Sequence, residues 1–306
     1  MTIIPGKKSR AAVERAAQVI FTVCASFSIL AVAFIILYLL ISGSPAIIRV
    51  GPGQMFFGTV WAPTAAEPKY GISHVILTSV AGTFFAVLIG APLGVLAAVF
   101  LAEISGKRTA GIVGSAVELL AGIPSVIYGL LGMNLLTPLV YRLERKLFEG
   151  SATHRFTGGA NLLSAVLVLA VMILPTVVHV SQTAIEAVRP SVRQASLALG
   201  ASRVQTTFRV VLPAASSGIV TAVVLGVGRA VGEAMAITLV SGGSVNLPLP
   251  FQSVRFLTTA IVSEMGYAQG MHRQVLFAIG LVLFGFILFL NLALNRILKG
   301  GAETYA

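Results

Sequence analysis

Two ionisable residues four apart, Arg229 and Glu233, stand inside the apolar run GVGRAVGEAMAITLVSGG. Charges in such a run are expensive and normally face a bundle interior or a water-filled path. On a continuous helix the two share one face, so one reading is mutual neutralisation that makes the helix tolerable. A pair kept only for stability gains little, because buried ion pairs seldom outperform apolar packing. The other reading is chemical. A guanidinium fork suits a planar, bidentate grip on an oxyanion, and a carboxylate beside it can accept the proton of hydrogen phosphate, which sulfate at neutral pH lacks.

The rest of the reactive inventory excludes more than it suggests. All ten acidic residues are Glu, and Cys24 is the single cysteine, so an intrachain disulfide and a Cys-type metal site are ruled out. No G-x-x-x-x-G-K-[ST] loop occurs, which leaves no ordinary cradle for ATP phosphates. Glu118 reads either as a polar contact between helices or an interfacial residue, or as a pathway residue. His179 reads as a satisfied bundle or boundary histidine rather than a ligand, since no second His or carboxylate stands at ligand spacing. No catalytic set emerges, so substrate chemistry is not expected and neither cofactor nor metal is expected in this chain.

What must position Arg229 and Glu233 is a membrane bundle. Of 306 residues, 57% are hydrophobic and only 10% charged, too little polar surface to coat a soluble globule. The net charge of +11 suggests an anionic partner, yet in this composition that partner is the lipid bilayer or a small anion rather than nucleic acid. Uncharged runs predict six helices at 19–41, 72–102, 110–139, 161–185, 214–240 and 274–297. The fold class is thus all-α, polytopic, with a tail at 1–18, a first span at 19–41, an extracytoplasmic segment at 42–71, a transport domain at 72–298 and a tail at 299–306.

Lys and Arg are more numerous on the side of the N-terminus than opposite it, which favours cytoplasmic N- and C-termini. Gly90 and Gly94, then Gly228 and Gly232, are spaced for close helix packing. Pro92, Pro124, Pro138 and Pro175 interrupt helical hydrogen bonding at depth, where protein or a wet cavity must satisfy the freed carbonyls.

Between the fourth and fifth spans, residues 186–213 read EAVRPSVRQASLALGASRVQTTFRVVLP. Val192, Ala195 and Leu199 share one helical face and Val204, Phe208 and Val211 another, with Gly200 between them as a C-cap and bend. Two short amphipathic helices of this kind make a knob able to enter a groove on a soluble partner. An alternative is a loop resting on anionic headgroups through Arg189, Arg193, Arg203 and Arg209.

The spacing of this segment resembles the EAA loop of ABC importer permeases: E-A-A, three residues, Gly, nine residues, Ile, one residue, Leu-Pro. Gln194, Ala195 and Ser196 occupy the first three positions, Gly200 the glycine, Val210 the isoleucine, and Leu212 with Pro213 the ending. Gln replaces Glu, Ser the second Ala, and Val the Ile; the lost carboxylate at Gln194 removes a potential salt bridge to the ATPase subunit. LLAGIPSVIYGLLGM, GRAVGEAMAITLVSGG and the YGI at Tyr70 to Ile72 are similar to segments of the phosphate-specific members, and E-A-M-A at Glu233 looks more like their C-type than their A-type permease. The resemblance implies a MetI-like type I importer architecture and a heterodimer with a second, A-type permease. It also implies a cytoplasmic ATPase dimer that holds ATP and Mg²⁺ and receives the loop as a coupling helix, and an extracytoplasmic phosphate-binding protein. A permease for molybdate or sulfate is the close alternative. A gradient-driven carrier, which usually shows repeat halves and ionisable coupling residues, is the distant one.

Overall fold

The computed structural model describes residues 7–151 and 153–302; the outermost parts of both expected tails lie outside them. The long first helix, α1 (Lys7–Val50), outruns the expected span at both ends. Helix formers such as Ala11, Ala12 and Glu14 extend it at the start. At its end Gly43 lets the backbone of a later helix approach, since a Cβ there would stand 2.8 Å from the Ala278 nitrogen. The expected loop at 42–71 is therefore partly helical. A short α2 (Pro52–Phe57) follows, then a hairpin of β1 (Trp61–Ala62) and β2 (Lys69–Tyr70), paired Trp61 to Tyr70.

Two long apolar helices make the centre: α3 (Ser73–Val99), continued by a π-helical turn to Ile104, and α7 (Leu162–Glu186). Both stay continuous through Pro92 and Pro175. Their contact is glycine-mediated: a Cβ on Gly90 would meet Ile173 Cδ1 at 2.7 Å and the Ala170 carbonyl at 2.8 Å, and one on Gly94 would meet Val177 at 2.8 Å. Gly228 and Gly232, in contrast, have nothing within 4 Å, so the packing role read from their spacing is not exercised within this chain.

The expected third span is broken. It consists of α4 (Lys107–Gly122), then α5 (Ser125–Leu131), a π-helical turn, and α6 (Thr137–Leu147). Pro124 lacks an N–H and forces Ile123 into an extended conformation (ψ 128°), as a residue before proline prefers. After α7 come the knob elements α8 (Pro190–Ala198), α9 (Arg203–Thr206), a π-helical turn and α10 (Leu212–Ala214). The expected fifth span is broken as well, into α11 (Ser216–Gly232) and α12 (Met235–Val240), and α11 meets the knob at a 69° bend. A loop leads to α13 (Leu257–Glu264), and α14 (Gly270–Ala302) closes the chain against α1. Among the described residues, five helices are long and apolar enough to cross a membrane, or six with the bent pair.

Carboxylates knot the hairpin end. Glu264 takes the Trp61 indole N–H at 3.0 Å, His272 Nε2 at 2.6 Å and the Arg255 guanidinium. Fully buried Glu144 accepts from the Thr157 amide and hydroxyl, both at 3.0 Å, and pairs with His154 at 2.9 Å. Gly90→Ala is expected to destabilise the α3–α7 contact by about 1–3 kcal/mol through overpacking, read as a lower unfolding temperature in detergent. Gly228→Ala, with open space around it, is expected not to lower that temperature.

Candidate functional site

Arg229 lies about 20 Å along α11 from Ser216, at roughly 1.5 Å per residue. The helix then stops at Gly232, and Glu233 adopts an extended conformation (φ −73°, ψ 129°). This corrects the expectation of a continuous 214–240 span with Arg229 and Glu233 on one face. The reason is side-chain hydrogen bonding, one bond within the turn and one from a distant helix. Glu233 Oε1 accepts the Ala236 amide at 2.9 Å in the first turn of α12, and the Glu233 carbonyl accepts the Thr258 hydroxyl at 2.7 Å.

Arg229 and Glu233 consequently form no ion pair within 4.0 Å among the described residues. The Arg229 Nε is buried and has no hydrogen-bond partner. Tyr128, on α5, is within electrostatic range of that charge. Its hydroxyl donates to the Leu120 carbonyl at 2.7 Å across the α4–α5 break, adding to the Ile123 amide that the same carbonyl accepts at 3.2 Å; Pro124, with no N–H, cannot donate there. The segments that follow the two breaks touch closely: a Cβ on Gly129 would stand 2.8 Å from Ala236 Cα. Arg229 is thus an uncompensated cation beside two helix breaks, suited to an anion.

Glu118 and His179 lie together, with His179 at the boundary of the bundle rather than inside it. Both are exposed and line a polar cavity of about 410 Å³ between α4 and α7 with Gln182 and Glu186. The spacing of 61 positions between Glu118 and His179 gave no sign of this, since only the antiparallel packing of their helices joins them.

In the knob, Gly200 has φ +86°, a conformation that only glycine adopts freely. The Ala201 amide bonds the Ser196 carbonyl at 3.3 Å and the Gly200 amide the Leu197 carbonyl at 3.0 Å, a Schellman closure of α8. Ser202 caps α9 reciprocally with Gln205, and Ser196 and Thr206 share a hydroxyl hydrogen bond of 2.9 Å. Gln194 and Ala195 are exposed, Val210, Leu212 and Pro213 half-buried. Leu199 is 89% exposed and Val204 67%, an apolar cost in water that a partner surface would remove.

One anchor escaped sequence reasoning. Arg193 of α8 donates through Nε and Nη2 to Glu103 Oε1, at 3.1 and 2.8 Å, and through its other contacts caps the Ile185 and Val188 carbonyls at the end of α7. The only signal was that a lone Glu ends the second predicted span on the side where the loop emerges. The knob is thereby fastened to α3.

Apolar helices that can cross a bilayer, two spans broken beside a half-buried arginine, with a knob of exposed apolar side chains at one end, define a membrane transport permease. Residues 90–300 match the family described as binding-protein-dependent transport system inner membrane component. The chain belongs to that family, the integral-membrane permeases of ABC importers. It is 37% identical over 303 residues to a probable ABC transporter permease protein YqgH of Bacillus subtilis, covering 96% of this chain and 95% of that one. It is 33% identical over 248 residues to the phosphate transport system permease protein PstC of Pasteurella multocida, covering 78% and 77%. In fold it resembles a chain of a bacterial alginate ABC transporter solved with an alginate-bound periplasmic protein, with TM-score 0.64 at 17% identity, covering 93% of this chain and 96% of that one. A chain of the MetNI methionine transporter gives TM-score 0.54 at 21% identity, covering 76% and 94%.

Arg193→Met leaves Glu103 without its partner and the α7 carbonyls uncapped. The expected cost to local stability of the knob is about 2 kcal/mol, seen as roughly 30-fold faster hydrogen exchange across residues 186–213.

Proposed function

We propose that the chain is one of two permease subunits of an ATP-driven importer for inorganic phosphate, and that Arg229 carries the anion through the bilayer. The observation that carries this is the buried Arg229 Nε with no partner of its own, beside a break that has taken Glu233 away from it. An unneutralised guanidinium at membrane depth is costly unless an anion visits it. Glu233 Oε1 is occupied by Ala236, which leaves Oε2 to accept the proton of hydrogen phosphate and supports phosphate over sulfate. The relatives named as phosphate transport permeases support the same substrate.

In this reading a second, related permease completes the path and an extracytoplasmic binding protein delivers the ion. An ATPase dimer seats the knob from the cytoplasm, so both termini lie on that side of the plasma membrane. ATP and Mg²⁺ belong to that partner. Exposed Leu199, Val204 and Phe208 supply the apolar contact, and the 69° bend after Ala214 turns motion of the knob into motion of α11.

Arg229→Lys and Arg229→Gln are expected to reduce phosphate uptake by at least about tenfold with normal membrane insertion, measured in proteoliposomes holding the complete transporter. Uptake at the wild-type rate would refute the role of Arg229. ATPase stimulation by phosphate, sulfate and molybdate, each with the binding protein, tests the substrate, and stimulation by molybdate or sulfate alone would replace phosphate. Gly200→Val forces a β-branched residue into φ +86° at a cost of about 1–3 kcal/mol. The expected result is weaker copurification of the ATPase and uncoupled transport; intact coupling would contradict the docking role.

A further inference from the structure

The break at Glu233 is held open from outside its own span. In a continuous helix the Glu233 carbonyl would accept the Ile237 amide; here it accepts the Thr258 hydroxyl at 2.7 Å instead. Thr258 is only 7% exposed, so water does not substitute readily for that donor. The two residues just before it fasten the start of its helix to α3. The Leu257 amide donates to Ser79 Oγ at 2.8 Å, and the Phe256 ring fills a notch at Gly82, where a Cβ would stand 2.4 Å from the ring. The Phe256 amide and Thr259 hydroxyl also bond each other at 2.9 Å, fixing the start of α13. The donor is thus delivered from a rigid neighbour.

We infer that Thr258 is a positioning residue for anion transfer: its hydroxyl keeps the Glu233 carbonyl out of helical bonding and so prevents Glu233 from neutralising Arg229. This rests on the reading of Arg229 as the oxyanion contact. Without the hydroxyl, a carbonyl at membrane depth must find another donor, and the nearest in its own chain is the Ile237 amide. Closing that bond rebuilds the helix across residue 233 and returns the Glu233 side chain to the face of Arg229 four residues earlier. The carboxylate then competes with the anion for the guanidinium.

The test uses the whole transporter in proteoliposomes, with its binding protein, partner permease and ATPase, and inorganic phosphate as the transported probe. The readout is phosphate moved per ATP hydrolysed, a ratio that does not depend on how much complex assembles. Thr258→Val keeps the shape and removes the donor, and is expected to lower the ratio about fivefold, whereas Thr258→Ser is expected to stay within about twofold of wild type. If the valine variant does not assemble, Thr258→Ala takes its place with the same expectation. The inference is overturned if the donor-less variant keeps the wild-type ratio, if serine and valine lower it equally, or if only the amount of complex falls. Arg229→Gln run alongside separates the two claims. Full uptake by that variant removes the oxyanion reading and this inference with it; loss of uptake there, with a normal ratio in Thr258→Val, removes only the role of Thr258.

Discussion

The requirement that every backbone carbonyl find a donor where water is scarce governs this structure. Two spans break at depth, and at each break a side-chain hydroxyl stands where an amide would have been. Tyr128 reaches back to the Leu120 carbonyl at one, and Thr258 reaches across to the Glu233 carbonyl at the other. An unmet carbonyl in hydrocarbon costs several kcal/mol, more than these short helices gain from propensity. The breaks are therefore stable features of the fold, with the half-buried Arg229 beside them.

The continuous helix α3 connects the parts that matter. Near its start Ser79 and Gly82 receive α13, and through it the Glu233 break; just past its end Glu103 binds Arg193 of the knob. Its middle is locked to α7 through Gly90 and Gly94. The knob, the α7 contact and the Glu233 break thus share one continuous element.

The membrane class, the number of spans and the knob were legible because each depends on local pattern: apolar run length, a glycine where a helix must end, and spacing along one segment. Gly200 was readable because only its backbone conformation fits a Schellman closure. The breaks were half legible. Pro124 announces one through its missing N–H, but the other has no proline, and GRAVGEAMA reads as an unbroken helix. What ends that helix is Thr258, 25 positions later, and no local propensity encodes it. Periodicity therefore put Arg229 and Glu233 on one face when tertiary hydrogen bonding had separated them. Glu103 and Arg193, 90 positions apart, were hidden for the same reason.

The Glu264 knot also bears on how the chain is made. Trp61 and Glu264 are 203 positions apart, and His272, which completes the cluster, belongs to the final helix. The first helix packs chiefly on that same final helix, Tyr38 against Phe277 at 5.4 Å. Early segments thus emerge from the ribosome long before their partners exist, and Trp61 and Gly43 wait for translation to finish. Closure of such distant contacts is slow and leaves unpaired surface exposed meanwhile. The contacts between the first and last spans of this permease therefore form only once the final helix has been made.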